Sequence, residues 1–207
     1  MILIGQYDSP FVRRVGIALT LYGIAFEHRP WSTFGDAGRI RPLSPLTRVP
    51  VLLVDGVALT DSHLILAQLD ELAPPGTALM PADPVHRLAA RQLVGLATGM
   101  AETAVSLFYE KILHDHPSPL LIERRGAQVT ATAAVLETAA ATAATPFLCG
   151  AAITHADIAL AAAVRFVTEA HPGLLDPVAL PALTRRCRDL EAMEAFQAIQ
   201  QPFIPPS

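Results

Sequence analysis

Lysine is almost missing from this chain: Lys111 is the only one, and the other positive charges are arginines. Charge of either sign is sparse, with 16% charged residues and a net charge of −4 at pH 7. No basic face is available to meet a phosphate backbone, which argues against a nucleic-acid partner. Cysteine is equally scarce. Cys149 and Cys187 lie far apart, form no CxxC pair and suggest no disulfide framework, so a reducing compartment is expected. No apolar run reaches the length needed to span a bilayer. Met1 to Gln6 is a short apolar segment with no basic region before it, too short for a signal peptide. These absences lead to the expectation of a cytoplasmic protein with neither a nucleic-acid nor a membrane partner.

Apolar side chains are what the chain has in quantity. Hydrophobic residues make up 52% of 207 positions, enough for a substantial core and incompatible with global disorder. That length suits one large domain or two modest ones.

Ile2-Leu3-Ile4 reads as a short buried strand. After Asp8-Ser9, Pro10 suits the first turn of a helix, in which Val12, Val15, Leu19 and Tyr22 recur at helical spacing until Gly23 stops it. Ala25 to Arg29 reads as a second strand, so the opening forms a right-handed parallel βαβ unit. Pro30 to Leu46 is irregular, with one short helix around Asp36 to Ile40.

The most telling stretch runs from Arg48 to Ile65. Val51 to Val54 and Val57 to Leu59 read as strands around Asp55-Gly56, a dipeptide that favours a tight hairpin turn. Asp61-Ser62 then opens a helix whose apolar repeat is Ile65, Leu69 and Leu72. An acid and a hydroxyl at a helix N-terminus, just past a strand opened by Pro50, can receive a small peptide-like ligand.

Beyond that helix the prolines at 74, 75, 81 and 84 break regular structure and mark an interdomain linker. Everything after it reads as helix. Val85 to about His114 forms one long helix with Leu88, Leu93, Leu96, Met100, Ala104, Leu107 and Phe108 as apolar positions, and Gly95 and Gly99 as marks of close packing or a bend. An alanine-rich helix follows from Leu120 to about Ala144, kept partly apolar by Val129, Val135 and Leu136. Thr154 to Asp157 resembles a capping box with Asp in place of Glu or Gln. The nearly all-apolar run from Ile158 to Val167 belongs at the centre of a helical domain. Leu180 to Gln200 supplies one or two more helices.

Four of these segments, in this order and spacing, resemble the cytosolic glutathione S-transferases over nearly the whole chain. Ser9-Pro10-Phe11-Val12-Arg13-Arg14-Val15 looks like the serine-type catalytic loop and first helix. Pro42 to Pro50 resembles the approach to the family's cis-proline, and Asp61-Ser62 its acid-serine pair. Phe147 to Gly150 with Thr154 to Asp157 resembles the cap and core helix of its C-terminal domain. The resemblance implies an α/β thioredoxin-like N-terminal domain (1–75), a linker (76–84) and an all-α helical domain (85–207). It also implies glutathione as cosubstrate, a small hydrophobic electrophile, detoxification as the setting, and a homodimer.

Glutathione must lose its thiol proton before it attacks an electrophile, and an ordinary thiol does so only at about pH 8 to 9. A hydroxyl donor at a helix N-terminus stabilises the thiolate. Ser9 is placed for this, although a serine there also serves as a plain helix cap. Tyr7 is the rival hydroxyl, because some members of the family use a tyrosine near the end of the first strand. The Pro10-Phe11 continuation favours Ser9. Members that form mixed disulfides carry cysteine where this chain has Ser9, so that exchange is excluded here, and Cys149 and Cys187 read as buried packing residues.

The resemblance further implies a cis bond at Val49-Pro50, with the Val49 backbone pairing the cysteinyl part of glutathione. Ser62 and helix N–H groups would take the γ-glutamyl carboxylate, and Asp61 its ammonium. Arg48 is the candidate for the glycyl carboxylate, with an ordinary exposed arginine as the alternative. Phe11, Trp31, Phe34, Met100, Thr103, Leu107 and Phe108 could line the electrophile pocket or simply pack the core. His114-Asp115-His116 offers no third or fourth metal ligand, so no metal is expected.

Overall fold

Leu3 and Ile4, with no exposed surface, make β1 (Ile2–Ile4) the buried centre of a four-stranded sheet. β1 pairs parallel with β2 (Glu27–Arg29) and antiparallel with β3 (Val51–Val54), which pairs antiparallel with β4 (Val57–Thr60). The order is β2-β1-β3-β4. The computed structural model describes residues 1–205.

Between β1 and β2 runs α1 (Pro10–Leu21), with proline in its first turn and Ser9 as its N-cap. Its buried positions include Val12, Val15, Ile17 and Leu19. The helix stops at Gly23, whose φ of 65° lets its N–H reach Thr20 O at 3.0 Å while Ile24 N–H reaches Leu19 O at 3.0 Å. A short α2 (Ala37–Ile40) follows. The hairpin turn has φ of 49° at Asp55 and 85° at Gly56, the positive pair that a two-residue hairpin requires. α3 (Ser62–Leu72) then packs Ile65, Leu66 and Leu69 inward. The Tyr22 hydroxyl accepts from Leu79 N–H at 2.8 Å and donates to Asp70, tying the proline-rich segment to α1 and α3.

The helical unit comprises α4 (Pro84–Ile112), α5 (Pro119–Thr142), α6 (His155–Ala170) and α7 (Pro181–Glu191). α6 is buried along Ala156 to Ala163, as its all-apolar run predicts, and α4 packs against both α5 and α6. Its first turn is held by a full capping box, with Asp157 Oδ2 accepting from Thr154 N–H (2.9 Å) and Thr154 Oγ (2.8 Å). Asp157 Oδ1 accepts from Leu148 N–H at 2.8 Å and so anchors the preceding loop as well. α5 buries Val129, Ala133, Leu136 and Ala140, one stripe at helical spacing, while Val135 stays exposed. α7 has no side-chain N-cap of its own; Glu137 supplies one, accepting from Ala182 N–H (3.0 Å) and Leu183 N–H (2.7 Å). Gly95 and Gly99 mark no close packing, since a Cβ on either would meet nothing within 4 Å.

The chain end departs from the expected division. Residues 193–205 group with Met1–Leu79, and the second unit is Met80–Ala192, so the helical domain does not extend from 85 to the chain end. The reason is Arg13, buried in α1 at 2% exposure. Its Nε donates to Ile199 O at 2.9 Å and its Nη2 to Phe196 O at 3.3 Å. These bonds secure α8 (Glu194–Ala198) against α1. Beyond α8, Gln201 Oε1 accepts from Tyr7 N–H at 3.2 Å and Ile204 N–H donates to Asp8 Oδ2 at 3.1 Å.

Candidate functional site

Strand register assembles the site. Ile4 is opposite Val51, and Val51 is opposite Thr60. The exit of β1, the entry to β3 and the exit of β4 therefore lie side by side at one end of the sheet. Those three loops carry Tyr7 to Ser9, Val49-Pro50 and Asp61-Ser62. Gly5 lets them close up: at its φ of 125°, a Cβ would stand 2.5 Å from Val12 Cγ2 and 2.8 Å from Val49 Cβ. The Val49–Pro50 peptide bond is cis. Among the described residues, the Val49 N–H and C=O have no backbone partner, which leaves both available to an extended ligand.

Ser9 is partly buried, and its Oγ accepts from Val12 N–H at 3.4 Å. A hydroxyl that accepts in this way still has its hydrogen to donate elsewhere. Tyr7 is held differently. Its ring stacks on His28 with centroids 3.8 Å apart, and burial pushes its hydroxyl up to about 12.

At α3, Asp61 adopts a φ of 69°, a strained conformation for a non-glycine residue. Its Oδ1 caps the helix, accepting from His63 N–H at 2.7 Å and Leu64 N–H at 3.4 Å. Ser62 is 5% exposed, and its Oγ accepts from Arg14 Nη1 at 3.4 Å. Arg48 is exposed, with its backbone N–H on Ser44 Oγ at 3.4 Å.

Two family profiles match the chain. The family profile "Glutathione S-transferase, N-terminal domain" matches residues 3–77, and "Glutathione S-transferase, C-terminal domain" matches residues 120–185. The chain belongs to the glutathione S-transferase family. A glutathione S-transferase from Methylobacterium radiotolerans, solved in complex with glutathione sulfonate, superposes with a TM-score of 0.89 at 27% identity, covering 100% of this chain and 98% of that one. Rat maleylacetoacetate isomerase is 28% identical over 99% of this chain and 95% of its own length. The GST-like protein YibF of Escherichia coli K12 is 35% identical, but the match spans only 51% of this chain and 52% of that relative.

Within this transferase fold, the residues expected to line an electrophile pocket fall into different environments. Trp31 packs on the core cluster of Ile4, Ile40 and Val51, with Arg29 and Arg39 guanidinium groups 5.8 and 5.7 Å from its ring centroid. Phe11 is partly buried and Phe34 is exposed. On α4, Met100 and Leu107 are 1% exposed, and Phe108 meets His171 edge-on at 6.1 Å. Thr103 is partly buried, its hydroxyl donating to Gly99 O at 2.8 Å. Cys149 and Cys187 are buried free thiols, and burial raises the Cys149 thiol. Among the described residues no cluster of three or more His, Cys, Asp or Glu could hold a metal ion, and no helix is long and apolar enough to cross a membrane.

Sequence reasoning missed three participants here: His28 beneath Tyr7, Arg14 beneath Ser62, and the returning segment at Gln201. The one available signal was the Arg13-Arg14 pair inside an otherwise apolar helical repeat.

Proposed function

We propose that the protein is a glutathione transferase that binds glutathione across this end of the sheet, with Ser9 activating the thiol for attack on a small hydrophobic electrophile. The observation that carries this reading is the Ser9 hydroxyl: it accepts from Val12 N–H at the α1 N-terminus, so its hydrogen is free for a thiolate. The helix dipole adds to the same stabilisation. Val49, beside Pro50, pairs the cysteinyl backbone by strand addition. The Ser62 hydroxyl and N–H receive the γ-glutamyl carboxylate, Asp61 the ammonium through the oxygen not used in capping, and Arg48 the glycyl carboxylate. Phe11 and Phe34 keep surface to offer an apolar cosubstrate.

A second reading of the same site is a glutathione-dependent isomerase, or a dehalogenase, acting through a transient glutathione adduct. The end-to-end similarity to maleylacetoacetate isomerase supports the isomerase form. We also propose a cytoplasmic location, and a homodimer whose interface covers the exposed Val57, Leu64 and Leu72 of the N-terminal unit.

Calorimetric titration with glutathione, followed by product analysis, tests the proposal. A transferase binds glutathione and consumes one equivalent per turnover; an isomerase binds it and returns it unchanged. Absence of binding at high glutathione concentration would refute both. Binding without turnover of any electrophile would instead mark a binding or regulatory protein.

A further inference from the structure

α1 buries two neighbouring arginines, Arg13 and Arg14, each 2% exposed, and employs them differently. Arg13 serves the carbonyls of the returning segment. Arg14 makes one hydrogen bond among the described residues, from Nη1 to Ser62 Oγ, and its Nε is buried without a partner. None of the described carboxylates forms an ion pair with it. Asp61 acts on it only through its field, which opposes the stronger lowering by burial, and the guanidinium sits at about 10. It therefore stays charged at neutral pH.

A buried cation that no carboxylate pairs directly, with Asp61 acting on it only through its field, is costly to keep. Holding Ser62 in place does not account for it, since a guanidinium carries five donors and Ser62 uses one. The charge lies behind the N-terminus of an eleven-residue helix, whose dipole favours an anion although Asp61 already caps the His63 and Leu64 N–H groups.

We propose that Arg14 is the positioning residue that makes this helix N-terminus selective for a carboxylate. Its donation occupies a lone pair of Ser62 Oγ and turns the hydroxyl hydrogen outward, toward the γ-glutamyl α-carboxylate. Its buried charge supplies the counter-ion that the ligand completes. The inference rests on the glutathione reading of the site.

Calorimetry on the full chain with two ligands tests it: glutathione, and γ-aminobutyryl-cysteinylglycine, which lacks only that α-carboxylate. The parent should prefer glutathione. Arg14→Met should weaken glutathione about tenfold, the loss expected for a hydrogen-bonded charge, and leave the analogue nearly unaffected. Ser62→Ala added to Arg14→Met should weaken binding by less than it does alone, because the two act as a unit. Arg14→Lys, which keeps the charge without the planar fork, should fall between parent and Arg14→Met. Should circular dichroism show Arg14→Met unfolded, the lysine variant carries the test, and its preference for glutathione over the analogue must drop. A parent that binds neither ligand overturns the glutathione reading and this inference together. A parent that binds glutathione, with an unchanged preference in the variants or equal losses for both ligands, overturns the inference alone.

Discussion

Tyr7 lies flat against His28, with ring centroids 3.8 Å apart and planes 5° from parallel. The imidazole Nε2 is 2.8 Å from Gly5 O, which fixes the stack to the end of β1. α1 has glycine at position 16, where a Cβ would come within 3.2 Å of Tyr7 Cε1. The phenol is thus a packing element of the loop, and desolvation holds its proton tightly, up to about 12.

Tyr7→Phe preserves the stacked ring and removes only the hydroxyl, so kcat/KM for conjugation should stay near the parent's. Ser9→Ala should reduce it by about a hundredfold or more, the range for losing one donor to a developing anion. Steady-state kinetics on the two variants decide this. A collapse in Tyr7→Phe with Ser9→Ala spared would move the catalytic role to Tyr7.

Arg13 links the first helix to a chain segment 186 residues later. Arg13→Met should lower stability by about 2–4 kcal/mol, since two buried carbonyls lose their donor. Hydrogen exchange should accelerate across 194–199 well before it does in α4 or α6. Unchanged protection there would mean that apolar contacts of Phe196 and Ile199 hold the segment unaided.

In the helical unit, Glu110 accepts from Ser118 N–H at 2.9 Å and from Arg125 Nη1 at 3.0 Å. The Ser118 bond is the largest cause that holds its carboxyl below the ordinary glutamate value; burial opposes it, and the Arg125 bond and the charges of His114 and Arg125 lower it further. A carboxyl depressed on folding stabilises the native state above its unfolded pKa, and this contribution disappears as pH falls through the folded one. The stability difference between parent and Glu110→Gln, from urea unfolding at a series of pH values, should therefore shrink on acidification. A difference that is constant with pH would contradict the assignment.

Much of the fold was legible because local chemistry and tertiary demand agree. Asp55-Gly56 favours a hairpin turn, and its positive φ pair is what the β3–β4 connection needs. Thr154 and Asp157 form the box their spacing announces, and Asp61 and Ser9 cap their helices. The outline of the proposed site could be read for the same reason, since the groups proposed to face glutathione sit at caps and turns. What escaped was long-range and polar. An arginine pair in an apolar repeat does not reveal that one member serves carbonyls near the chain end and the other lies beneath Ser62. Apolar periodicity likewise could not separate Met100 and Leu107, buried at 1%, from residues with surface to offer a ligand.

The central claim is that Ser9 stabilises a glutathione thiolate. Ultraviolet titration of the thiolate in the complex measures this directly, for the parent and for Ser9→Ala at saturating glutathione. The account predicts a midpoint in the parent well below that of the free thiol, about 8 to 9, and a return toward that value in Ser9→Ala with affinity largely kept. The same midpoint in both proteins would contradict it.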